Sequence, residues 1–176
     1  MRLALKVHPD FPSDAVSGID VDVERVSDEL VLRYRLAGDV ARLAIPPPAA
    51  PHRTDELWRH TCFEAFLQPE PGDAYIELNF APSTQWAAYR FTRCREGMAP
   101  ADIAAPRIEL AATETALELV VRLDLASLAL PPGPCRVALS AVIEQTDGAK
   151  SYWALAHPPG RPDFHHRSSF ACSLPG

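Results

Sequence analysis

Eighteen prolines in a chain of 176 residues set the tightest limit on its fold, because the usual share is ~5%, about half this density. Proline has no backbone N–H to donate and its ring collides with the preceding helical turn, so helix interiors reject it while turns and sheet edges accept it. The apolar residues repeat accordingly. Ile19, Val21 and Val23 alternate with Asp20, Asp22 and Glu24. Leu30, Leu32, Tyr34 and Leu36 alternate with Val31, Arg33 and Arg35, and the short link Ser27-Asp28-Glu29 makes the two runs a hairpin. Leu117, Leu119, Val121 and Leu123 repeat the pattern. Further candidate strands cover 3–7, 42–45, 62–68, 74–80, 86–93, 107–111, 135–144 and 152–154, with a helical turn at 124–128 and a loop over 95–106. Short strands with turn-rich links predict an all-β fold, a two-sheet antiparallel β-sandwich of jelly-roll type. The proline-rich run 45–51 reads as a stiff crossover rather than a domain linker, so 1–176 is expected to form a single domain.

Composition narrows the partners. Seventeen Lys and Arg against 23 Asp and Glu leave a net charge of −6, which argues against nucleic acid, whose phosphates call for a basic patch. No apolar run approaches the ~18 residues needed to cross a bilayer, so no membrane association is expected. The opening MRLALKVHPDFPSD lacks the apolar core of a signal peptide, which predicts a cytoplasmic protein. Cys62, Cys94, Cys135 and Cys172 form no CxxC pair, so free thiols are expected, with no metal and no cofactor. Nothing in the pattern sets an oligomeric state.

The most informative stretch is 62–93, which reads as an antiparallel meander. With a turn over 69–72, Gln68 faces Asp73 and Glu64 lies opposite Glu77; with a second over 81–84, Phe80 faces Gln85 and Asn79 pairs with Trp86. One face then carries Glu64, Glu77, Asn79, Trp86, Ala88 and Arg90, and the other carries a core that includes Ile76, Leu78 and Phe80. Two carboxylates on facing positions repel unless a cation, a shared proton or a ligand hydroxyl lies between them. The face is therefore either a solvated surface neutralised by Arg90 or the floor of a ligand site. In the second case Trp86 supplies a flat apolar surface while Glu64, Glu77, Asn79, Gln85 and Arg90 supply directional hydrogen bonds. Trp58 precedes the first strand and is placed to overhang this face. The late run 151–170 concentrates Trp153, His157, Asp163, His165 and His166. Consecutive histidines in extended chain point to opposite sides, so His165 and His166 do not make a shared metal site.

The segments LWRHTCFEAFLQ (57–68), YIELNFAPSTQWAAYRF (75–91) with the trailing REGM (95–98), and YWALAHPPGRPDFHH (152–166) resemble the DOMON-like family, which groups with the family 9 carbohydrate-binding modules. The resemblance implies a β-sandwich that binds sugars or haem. In sugar-binding members two tryptophans sandwich a sugar ring while carboxylate, amide and basic side chains hold its hydroxyls. Carried to this chain, Trp58 becomes one wall and Glu64 a hydroxyl acceptor, with Trp153 as first candidate for the opposite wall and Trp86 as second.

Beside an interaction or structural domain whose polar face holds no small ligand, three functions compete on these residues. The first is a non-catalytic domain that binds a sugar or a sugar-derived metabolite. The second is a haem-binding domain with Met98 and either His157 or His165 as axial ligands. The third is a glycosidase using Glu64 and Glu77, since carboxyls on facing positions approach the ~5 to 5.5 Å of retaining enzymes.

Overall fold

The computed structural model describes residues 1–175. Twelve strands take up nearly half of the described residues: β1 (Arg2–Val7), β2 (Val16–Val26), β3 (Glu29–Gly38), β4 (Cys62–Pro69), β5 (Tyr75–Phe80), β6 (Trp86–Phe91), β7 (Ala99–Pro100), β8 (Arg107–Ala112), β9 (Ala116–Asp124), β10 (Cys135–Glu144), β11 (Lys150–Ala154) and β12 (Cys172–Leu174). All pairings between these strands are antiparallel. Hydrogen bonds run through the order β7-β6-β5-β4-β10-β11-β1-β2-β3-β9-β8, with β12 on β10. The two expected sheets are joined here into a single ladder. β1 pairs with β2 through Arg2 to Leu5 and with β11 through Lys6 and Val7, so it carries the ladder from one half to the other. The result is one curled sheet.

Alternation explains the interior. Ile19, Val21, Val23, Leu30, Leu32, Tyr34, Leu36, Leu117, Leu119, Val121 and Leu123 are buried, as their period of two demands, and one core joins them to Phe63, Ala65, Leu67, Ile76, Leu78 and Phe80 from the other half. Tyr34 ties the halves directly, its hydroxyl donating to the Glu64 carbonyl at 2.8 Å. Residues Cys62–Leu67 and Tyr75–Phe80 are buried on both faces. Their second face is covered by a smaller cluster of Phe66, Tyr75, Tyr89, Phe91 and Phe170, with Leu57 and Phe164 packed on it.

One local expectation gives way. The run 42–45 forms no strand; a 3-10 turn at Val40–Arg42 is followed by a single bridge from Leu43 to Gln145. The run 45–51 crosses from the β3 half to the β4 half, anchored by the Ala49 amide on the Ser83 carbonyl at 2.9 Å. Elsewhere a 3-10 turn, Ala126–Leu128, occupies the expected helical position.

The four cysteines are free. Burial raises the Cys62 thiol well above its ordinary range and brings Cys135 to about 11, whereas Cys94 is exposed. Alkylation of the native protein followed by mass spectrometry is expected to modify Cys94 first and Cys62 only on unfolding. A mass deficit showing a disulfide would contradict this.

Candidate functional site

The meander β4-β5-β6 forms with Glu64 and Glu77 on the face opposite Leu78, but both turns differ from expectation. Between β4 and β5 the observed partners are Glu64 with Asn79 and Phe66 with Glu77. Pro69 and Pro71 cannot donate to the ladder, so pairing stops at Leu67–Ile76 and the link is longer than a tight turn. This slip of two positions preserves the faces and makes the two carboxylates diagonal neighbours. Between β5 and β6 the slip is one position, with Phe80 on Trp86 and Glu77 on Tyr89. Thr84 adopts a left-handed conformation at φ 75°, and the Ala81 amide reaches the Gln85 carbonyl at 2.9 Å. A one-residue slip exchanges faces. Ala87, Tyr89 and Phe91 therefore share the side of Glu64, and Trp86 and Ala88 enter the main core.

Of the eight sequence candidates, Trp58, Glu64 and Glu77 line one cleft of about 750 Å³. Asn79 lies fully buried behind them, its amide donating to Glu77 Oε1 at 2.8 Å. The remaining four are elsewhere. Trp86 is buried with its Nε1 unpartnered. Arg90 donates to the Leu128 carbonyl at 2.7 Å. Gln85 holds its own turn and the crossover, accepting from the Ser83 hydroxyl and donating to Thr54 Oγ1, both at 2.9 Å. Trp153 sits in the main core and donates to Ser151 Oγ at 3.0 Å, so its neighbour Tyr152, on the opposite face of β11, is the one that lines the cleft.

The floor is acidic. Glu64 is 2% exposed and Glu77 6%. Glu64 Oε2 accepts from the Ser140 hydroxyl at 2.9 Å, and Ser140 is the residue paired with Glu64 across β10. Burial first, and then the Glu77 carboxylate, push Glu64 from its ordinary 4.5 up to about 8, against the Ser140 hydrogen bond and the Arg95 guanidinium. Burial raises Glu77 as well, opposed by Asn79 and Arg95. Desolvation disfavours the charged forms, so the pair holds a proton at neutral pH.

One wall is formed by Trp58, on a 3-10 turn (Leu57–Arg59) that starts from Glu56 at φ 63°. Trp58 is 36% exposed and meets Tyr89 edge-on at 6.0 Å. Phe91 and Met98 continue this lining, and Tyr152, Phe164 and His165 complete it. In the sequence His165 stands out only as one of two candidate axial haem ligands. Its Nδ1 lies 2.7 Å from the Tyr75 hydroxyl, whose oxygen accepts from the Arg95 amide at 3.1 Å. The Tyr75 proton then points to Nδ1, leaving the neutral ring protonated at Nε2, 3.7 Å from Glu77 Oε2. Burial, with Arg95 close by, lowers His165 to about 4.

This geometry bears on two competing readings. His157 Nε2 is 2.8 Å from the Lys6 carbonyl and outside the cleft lining, so of the two expected axial pairs only Met98 with His165 lies in the cleft, and there His165 Nδ1 is engaged by the Tyr75 hydroxyl. Glu64 and Glu77 are diagonal neighbours rather than the facing pair on which the glycosidase reading rested.

No protein-family model matches the chain, and no curated protein matches it. Solved structures do. A candidate carbohydrate-binding protein from Bacteroides uniformis ATCC 8492 superposes with a TM-score of 0.75 at 16% identity, covering 99% of this chain and 85% of its own. A family 9 carbohydrate-binding module from Caldicellulosiruptor kristjanssonii in complex with cellotriose superposes with a TM-score of 0.54 at 9% identity, over 91% of this chain and 74% of that one. A module of that family from the same organism in complex with glucose gives 0.53 at 7% identity, over 97% and 83%. The chain shares the fold of these carbohydrate-binding structures.

Proposed function

We propose that this protein is a non-catalytic sugar-binding domain of the DOMON-like kind, a β-sandwich whose cleft between Trp58 and Tyr152 holds a sugar or a sugar-derived metabolite. The observation that carries the reading is the buried pair Glu64 and Glu77 at the floor of a cleft walled by an exposed tryptophan. A sugar has apolar C–H faces and polar edges, so aromatic walls with directional acceptors beneath them match it. The fold shared with modules that hold glucose and cellotriose supports the same reading. Four free thiols suit a reducing compartment, in keeping with a cytoplasmic location.

The test is titration of the protein with glucose, cellotriose and a panel of other neutral, amino and nucleotide sugars, followed by calorimetry and thermal shift. A ligand at 100 times its dissociation constant adds about 2.7 kcal/mol to stability. Trp58→Ala is expected to weaken binding by at least about tenfold, the scale of a lost aromatic anchor, with its melting temperature close to wild type because the ring is partly exposed. If no sugar shifts the melting temperature or releases heat, the reading fails.

A further inference from the structure

Each basic side chain that lines the cleft, apart from a histidine, is matched to an acid outside the floor. Arg59 is 2.8 Å from Glu56, and Arg95 is 2.7 Å from Asp163. His60 lies 2.7 Å from Glu144, whose other oxygen is 3.8 Å from Lys150. The exception is His165, a neutral ring whose Nε2 stops 3.7 Å short of Glu77. Among the described residues, the two floor carboxyls are therefore the acids of this cleft with no hydrogen-bonded cation.

Their hydrogen bonds are also incomplete. Glu64 receives Ser140 on Oε2, and Glu77 receives Asn79 on Oε1. Glu64 Oε1 and Glu77 Oε2 have no donor within hydrogen-bond distance. Both side chains are more than nine-tenths buried yet line the cleft. Among the described residues, the polar side-chain atoms sealed from solvent and partners alike are Trp86 Nε1 and His157 Nδ1, so the two free oxygens keep access to solvent in the cleft. Above them stand the rings of Trp58, Phe91, Tyr152 and Phe164. Aromatic faces attract cations through the ring quadrupole, and neighbouring carboxylates are reconciled by a positive charge between them.

We propose that the cleft selects sugars bearing a protonated amino group, with the ammonium seated between Glu64 Oε1 and Glu77 Oε2 beneath the aromatic walls. This rests on the sugar-binding reading and names the class of sugar. A neutral sugar leaves the pair holding its proton, and an acidic sugar adds a negative charge beside it. An ammonium lets both carboxyls ionise against a positive charge. The pair gives up its proton to solvent as the ligand arrives, and the ammonium keeps its own.

The experiment is calorimetric titration of the full chain near neutral pH with glucosamine, glucose and N-acetylglucosamine, which place an ammonium, a hydroxyl and a neutral amide at one ring position. Glucosamine is expected to bind at least about tenfold more tightly than the other two, the scale of a charge-assisted hydrogen bond. Its heat should vary with the ionisation enthalpy of the buffer, reporting proton release. Glu64→Gln should bring the ratio of glucosamine to glucose affinity down to about one. Because the wild-type comparison needs no variant, it decides the matter even if that substitution harms folding. Glucose or N-acetylglucosamine binding as tightly as glucosamine would overturn amine selection and leave sugar binding standing. If none of the three binds and no other sugar does, both proposals fall.

Discussion

Trp153→Ala is expected to cost the fold about 3–5 kcal/mol, the range for truncating a large aromatic in a packed core. Trp153 is 5% exposed. It pairs with Ala141 on β10 and Val7 on β1, so it sits at the seam where one half of the sheet hands over to the other. Its indole N–H is satisfied locally by Ser151, and truncation leaves that hydroxyl short of a donor as well as opening a void. Denaturant melts measure the loss. The contrast with Trp58→Ala is the informative part: one tryptophan carries stability and the other carries binding. A Trp153→Ala protein that melts like wild type but has lost its ligand would restore Trp153 as the second wall and refute the core assignment.

The parts of this fold that were legible in the sequence are those where a single period decides the outcome. β2, β3 and β9 place main-core residues at every second position over 19–23, 30–36 and 117–123, and those residues follow from counting by two. The same logic placed Glu64 and Glu77 together, because an error of two positions in the first turn leaves every face unchanged. It failed for Trp86 and Arg90, where an error of one position changes all of them. What set that register was the left-handed Thr84, and a threonine gives no warning of such a conformation, as a glycine would. Trp153 was misplaced for a different reason. An isolated tryptophan carries no signal of which side of a short strand it takes, and Tyr152 beside it was the equally available alternative. Phe164 and His165 come from an irregular segment with no periodicity, so their arrival over Glu77 is a tertiary fact. The curled sheet itself depends on β1 pairing at both ends with different partners, which nothing local encodes.

Stability is expected to fall as the pH rises from about 6.5 to about 8, and Glu64→Gln is expected to abolish that fall. The folded protein keeps the Glu64 proton up to about 8, whereas the ordinary carboxyl loses it near 4.5. Between those values the folded state binds more protons than the unfolded one, so raising the pH favours unfolding. The stabilisation is complete below 4.5 and lost as the pH passes about 8. Burial of Glu77 acts with the same sign. His165 opposes it lower down: its pKa drops from 6.5 to about 4, so its contribution is present above 6.5 and lost as the pH falls toward 4. The two trends offset each other below 6.5, which leaves the Glu64 loss uncompensated above it. One proton is worth about 1.4 kcal/mol per pH unit, so the window should take about 2 kcal/mol from wild type. Glutamine has the shape of the protonated acid and can still accept from Ser140, so the variant should match wild type near pH 6 and exceed it at pH 8. Urea melts across this range decide the point. Parallel slopes for the two proteins would show that Glu64 is ionised throughout, and the acidic pair would then be an ordinary solvated one.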